Sequence, residues 1–144
     1  MNDAARGIYR NKATGRELLL FKNMLWGRIT PTDIDCFIDF RGRLFVFIEV
    51  KHGEAELPVG QRLALERLCD SCQLAGVVSV VLVAYSATHS VPSDILVGCL
   101  PVRLVRHNGC WRKPTRPINV LEAVDALVET YVPELQEAAE GERE

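Results

Sequence analysis

The chain has 144 residues and a formal net charge of −2; 48% of its residues are hydrophobic and 25% are charged. That balance suits one globular domain with a real core, and it excludes both a disordered chain and a bulk basic field for nucleic acid, so any phosphate-binding surface has to be local. No apolar run approaches the roughly eighteen residues a membrane span needs. The opening MNDAARGIYR lacks the apolar stretch of a secretion signal, so a cytoplasmic setting and no membrane partner are expected.

Residues 1–13 are polar and are expected to be loose. Thr14-Gly15-Arg16-Glu17 has the form of a capping box, predicting a short helix from about Gly15 to Met24 that Gly27 and Pro31 end. Ile34–Phe40 and Leu44–Val50 are rich in aromatic and β-branched residues and flank Gly42. They predict a β-hairpin whose second strand, apolar on both faces, is central in a sheet. A polar loop leads to a helix from Val59 or Gly60 to Cys72, with Leu65, Leu68, Cys69 and Cys72 as its core stripe and Arg62–Glu66 as an i,i+4 ion pair. Val77–Tyr85 then reads as a buried strand. Strand, helix, strand in this order predicts a parallel βαβ unit. Residues 96–106 read as a strand interrupted by Pro101, and Asn108-Gly109 marks the turn of an edge hairpin. Asn119-x-x-Glu122 caps a last helix to about Val132, with Leu121, Val124, Leu127, Val128 and Tyr131 on one side. Residues 134–144 form an acidic tail. The whole is predicted to be a single α/β domain over 1–144.

The five cysteines, Cys36, Cys69, Cys72, Cys99 and Cys110, are odd in number and scattered, which is a poor disulfide framework. Cys69 and Cys72 have CxxC spacing, but no second pair follows, and on a helix they read as small buried apolar groups.

The chemistry gathers at one end of the hairpin. With the turn centred on Gly42, Asp35 lies opposite Glu49 and Asp33 opposite Lys51, and the strand period of two puts Glu49 and Lys51 on one face with Phe47. Carboxylates on a half-buried face repel one another unless a positive charge lies between them. A magnesium ion, held by one or two carboxylates and phosphate oxygens, is the natural candidate, and a nearby lysine can orient a water or offset charge on phosphorus. The set is suited to phosphodiester hydrolysis.

These residues resemble a known signature. T-D33-I-D35-C-F-I, then F-I-E49-V-K51, is similar to that of the PD-(D/E)xK nuclease superfamily: an Asp at the start of one strand and E-x-K at the end of the next. Gln61-Arg62-Leu63-Ala64-Leu65-Glu66-Arg67-Leu68 followed by Val77–Val83 resembles the Q-R helix and valine-rich strand of its VRR-NUC-like and archaeal Holliday junction resolvase-like members. The resemblance covers about residues 15–85. It implies a restriction-endonuclease-like core, a mixed central β-sheet flanked by helices, and an endonuclease using Mg2+, for which Mn2+ substitutes. It implies Asp35 and Glu49 as metal ligands, with the Val50 main-chain carbonyl, Lys51 beside the attacking water, and Gln61 lining the site. Either Asp33 or Asp35 could be the main ligand, with Asp35 preferred for its pairing with Glu49. Glu17 is either a further carboxylate or the capping-box residue. Asp39 reads as a turn residue.

Arg16, Arg28, His52, Arg62, Arg112 and Lys113 are the candidate DNA contacts, with Arg103 and Arg106 among the other cations. Trp111 reads either as a base-stacking residue or as a buried or interface aromatic. The expected substrate is duplex, branched or junction DNA, cut by a homodimer because symmetric junctions need two cuts. The alternative is a non-catalytic DNA-binding or structural protein that retains the fold.

Overall fold

A computed structural model describes residues 21–87 and 94–136. The chain divides into two compact units, residues 1–31 and 32–144. In the first, the described residues 21–31 form turns. Met24 N–H donates to the Phe21 carbonyl at 3.2 Å, Asn23 has φ 68°, and Trp26 and Ile29 form a bridge around Gly27. The expected helix therefore does not reach residues 21–24. Phe21 and Leu25 are exposed and bury too little to hold a marginal helical turn together. The start of that helix lies outside the described residues.

The second unit is an α/β fold. Its elements are β1 (Cys36–Phe40), β2 (Leu44–His52), α1 (Val59–Leu74), β3 (Val78–Ser86), a short 3-10 helix (Val97–Cys99), β4 (Val102–His107), β5 (Cys110–Arg112) and α2 (Val120–Tyr131). The strands form one mixed sheet in the order β1-β2-β3-β4-β5, antiparallel throughout except for the parallel β2–β3 pair. The β1–β2 turn follows from its residues: Arg41 and Gly42 both take positive φ, and the Asp39 carboxylate accepts a hydrogen bond from Gly42 N–H at 2.6 Å. Asp39, expected as a turn residue, is thus a β1 residue paired with Phe45 whose side chain braces the turn. Cys36 pairs with Ile48 and Phe40 with Leu44, so the register is centred on Gly42, as the hairpin predicts.

The alternation of β2 sends Leu44, Val46 and Ile48 to one face, where they meet Val80, Leu82 and the α2 residues Val120, Ala123, Val124 and Val128. Phe47 goes to the other face with Val81, Val83 and the α1 residues Leu65 and Cys69. Both faces of β2 and β3 are covered, which explains their near-continuous apolar runs. Burial also pushes the Cys69 thiol up to about 11, so it behaves as a small apolar group. Leu68, expected in the α1 stripe, is exposed.

Asn119 caps α2, its side-chain oxygen accepting from Glu122 N–H at 2.8 Å. The buried stripe of α2 is rotated from the expected one. Val120 and Ala123 enter the core, while Leu121 is 44% exposed and lies over Gly98 of the 3-10 helix. Asn108 and Gly109 make the β4–β5 turn with positive φ at both positions. No helix among the described residues is long and apolar enough to cross a membrane.

Candidate active site

Glu49, Lys51 and Gln61 form one bonded group on the α1 face of the sheet. Glu49 is 4% exposed. Its Oε1 accepts from Gln61 Nε2 at 2.6 Å and lies 3.3 Å from Lys51 Nζ, and Lys51 Nζ in turn donates to Gln61 Oε1 at 2.8 Å. The sequence builds this from two directions. Period-two alternation places Glu49 and Lys51 together at the end of β2, and Gln61, in the first turn of α1, reaches down to both. Gln61 holds its carbonyl toward the cation and its amide toward the carboxylate, so each end is matched to its partner.

Asp35 comes from across the hairpin. Extending the β1–β2 register by one residue puts it opposite Glu49, and its Oδ2 accepts from Val50 N–H at 2.7 Å. Within a strand the N–H and C=O of one residue point to the same side, so the Val50 carbonyl faces the side on which Asp35 lies. Asp33 is exposed and takes no part in these bonds.

The electrostatics of Glu49 are unfavourable as they stand. Its pKa is raised, first by burial and then by the negative charge of Asp35, and the opposing effects of Gln61 and Lys51 do not cancel this. Its second oxygen, Oε2, is buried and has no hydrogen-bond partner. An orphaned carboxylate oxygen costs about 1–3 kcal/mol. A cation between Asp35 and Glu49 would relieve both defects, so the donor set fits a hard divalent ion. Among the described residues no three His, Cys, Asp or Glu side chains converge as a metal site. The available donors are therefore two carboxylates and a carbonyl, a partial shell of the kind magnesium completes with water and phosphate oxygens.

The site row continues across the sheet. Lys51 is in register with Tyr85 of β3, and both lie on the α1 face. The β3–β4 register shifts between Val83 and Ala84, which pair with Leu104 and Val102 respectively, so Arg103 is the extra residue of a bulge. Its guanidinium lies over the Tyr85 ring, 4.9 Å from the centroid, beside a cavity that both residues line together with Gly53 and Glu54. Arg103 stood among the cations of the sequence, but only the bulge brings it to this row. Tyr85 went unnoticed because it reads as the last residue of a core strand.

The other candidates are dispersed. Glu17 and Arg16 lie outside the described residues. Arg28 is exposed in the Trp26–Ile29 turn of the first unit. His52 is exposed and alternates with Lys51, onto the other face. Arg62 is exposed near Gln61 and lies 3.8 Å from Glu66. Arg112 and Lys113 line a cleft beneath α2 with Val80 and Leu82, so they stand on the opposite face of the sheet from Glu49. Strand alternation explains it: Trp111 faces α1, and its neighbour Arg112 faces away. Trp111 is not a free stacking surface. Its Nε1 donates to Glu66 at 2.6 Å and Arg106 stacks on its ring, while Arg106 makes bonds of 2.6 and 3.2 Å to Asp70. No protein-family model, curated protein or solved structure matches this chain.

Proposed function

We propose that this chain is a Mg2+-dependent DNA endonuclease with a restriction-endonuclease-like core, related to the PD-(D/E)xK nucleases. The observation that carries the proposal is the orphaned, buried Oε2 of Glu49, a residue that feels the charge of Asp35 and is bonded through Oε1 to the Lys51–Gln61 pair. A buried carboxylate left in that condition costs stability and is retained for what it binds.

Asp35, Glu49 and the Val50 carbonyl would hold the ion. The ion supplies a Lewis acid for a phosphate oxygen and lowers the pKa of a bound water. Lys51 carries three N–H groups, of which Gln61 and Glu49 engage two, leaving one for the attacking water or a non-bridging oxygen. Gln61 fixes the lysine rotamer, so the cation is positioned before the substrate arrives. Arg103, held over Tyr85, would contact the phosphodiester backbone beyond the scissile group. Arg62 and Lys51 add to the same positive row, which offsets the overall acidity of the chain. Branched or junction DNA cut by a homodimer is the substrate form proposed.

Labelled linear duplex, single-stranded, flap and four-way-junction DNA, each incubated with Mg2+, Mn2+ or EDTA, test the proposal. Paired cuts in the junction with either metal and none in EDTA are expected. Cutting that persists in EDTA overturns the metal requirement, and DNA binding without cutting of any form overturns the proposal in favour of a non-catalytic DNA-binding protein.

A further inference from the structure

A second concavity lies on the opposite face of the sheet, remote from Glu49. It is a cleft of about 440 Å³ between α2, the sheet and the segment after β5. Half-buried Val105, Ile118 and Leu127 make its floor apolar above the buried Val80 and Leu82, and Arg112, Lys113 and Arg116 line it. Among the described residues no Asp or Glu lines it, and none of the three cations has a carboxylate partner. The volume lies in the range of small-molecule sites, and an apolar floor with a few convergent polar groups is their usual make-up. Among the described residues these charges, unlike Arg106 with Asp70 on the α1 face, meet no acidic side chain.

We propose that this cleft binds a small amphipathic anion, its apolar body on Val105, Ile118 and Leu127 and its anionic head at Arg112, Lys113 and Arg116. Charge complementarity selects the head, and the floor selects the body. A bare phosphodiester backbone would satisfy the cations and leave the apolar floor exposed to water, so nucleic acid fits this cleft poorly. The ring of His107 lines the cleft and packs edge-on against Tyr131, with centroids 6.0 Å apart. Burial and the nearby Arg112 hold its pKa below the usual histidine range, so near neutral pH it adds shape and a polar edge rather than charge.

The test uses the full chain, with the fluorescence of anilinonaphthalene sulfonate as probe and decanoate, decanol and duplex DNA as competitors. Decanoate is expected to displace the probe at one site per chain, and decanol to do so at least about tenfold more weakly, the value of a charge-assisted contact. Exposed Ala126 lines the mouth, so Ala126→Phe should block probe binding while DNA cleavage is unchanged. Arg112→Ala with Lys113→Ala, both at exposed positions, should weaken decanoate by about tenfold without altering the fold. Equal displacement by decanol and decanoate, displacement by DNA in their place, or probe binding unaffected by both sets of variants overturns the proposal. Loss of probe binding on dimerisation in sedimentation experiments also overturns it, by showing that a second copy covers the cleft.

Discussion

Replacing Glu49 by Gln should stabilise the metal-free protein and abolish its response to magnesium. The amide keeps an acceptor for Gln61 and removes the charge that burial and Asp35 oppose. Lys51 loses its carboxylate neighbour but keeps Gln61 Oε1. The raised pKa of Glu49 means that the unfavourable effects exceed the favourable ones, so the fold favours the neutral form more than water does. The net gain is the release of a buried charge less the cost of the unpartnered amide N–H groups that take the place of Oε2, and is of the order of 1 kcal/mol. At about 4 °C per kcal/mol for a domain of this size, the metal-free Tm of Glu49→Gln should rise by about 4 °C. Magnesium at ten times its Kd adds about 1.4 kcal/mol to the unaltered protein, or about 6 °C, and nothing to the variant. The pH dependence follows from the same sign. Because the folded state holds the Glu49 proton more tightly, it binds more protons than the unfolded chain from the ordinary value near 4.5 upward. Metal-free stability therefore falls as pH rises through the raised pKa, and Glu49→Gln removes that fall. Differential scanning calorimetry at several pH values, in EDTA and in magnesium, reads all three effects. A variant less stable than the parent in EDTA, or one stabilised by magnesium as much as the parent, would refute the reasoning.

Asp35→Asn should lose the magnesium-induced rise in Tm, while Asp33→Asn keeps it, because only Asp35 bonds Val50 N–H and acts on Glu49. Calorimetric metal titration of the two variants distinguishes them. Arg103→Ala should weaken DNA binding and lower the slope of log K against log salt by about one phosphate contact, measured by anisotropy between 50 and 200 mM salt. Arg112→Ala, on the other face, should leave that slope unchanged. Asn119→Ala should cost about 1 kcal/mol of stability, measured by urea unfolding, by removing the α2 cap without affecting metal binding.

The hairpin was legible because its turn chemistry and its alternation agree. Gly42 sets the centre, and one count across it places Asp35 opposite Glu49. Helix α1 and the parallel β3 followed from periodicity and from the dozen-residue crossover. Gln61 was found through its place after the loop in the motif, although its two hydrogen bonds could not be foreseen. The departures have local causes. Residues 21–24 have a helix-like apolar pattern but turn at Asn23, where exposed side chains give a helix little to bury. The stripe of α2 takes in Val120 and Ala123 in place of Leu121, because those two meet the sheet core, and nothing in the α2 sequence announces which side does so. Arg112 and Lys113 are near Trp111 in sequence but separated from the site by the thickness of the sheet. Arg103 reaches the site row through a bulge that has no single-residue signature.

Nicking of supercoiled DNA by the purified chain, compared with Lys51→Ala in the same magnesium buffer and in EDTA, tests the central claim most directly. Lys51 is 16% exposed and bonds only to Glu49 and Gln61 among the described residues, so its removal leaves the core intact. Magnesium-dependent nicking by the parent is expected, with none in EDTA and a loss of at least about a hundredfold in the variant, whose magnesium-induced rise in Tm is retained. Nicking by Lys51→Ala at the parental rate, or no nicking by a folded parent that binds magnesium, would contradict it.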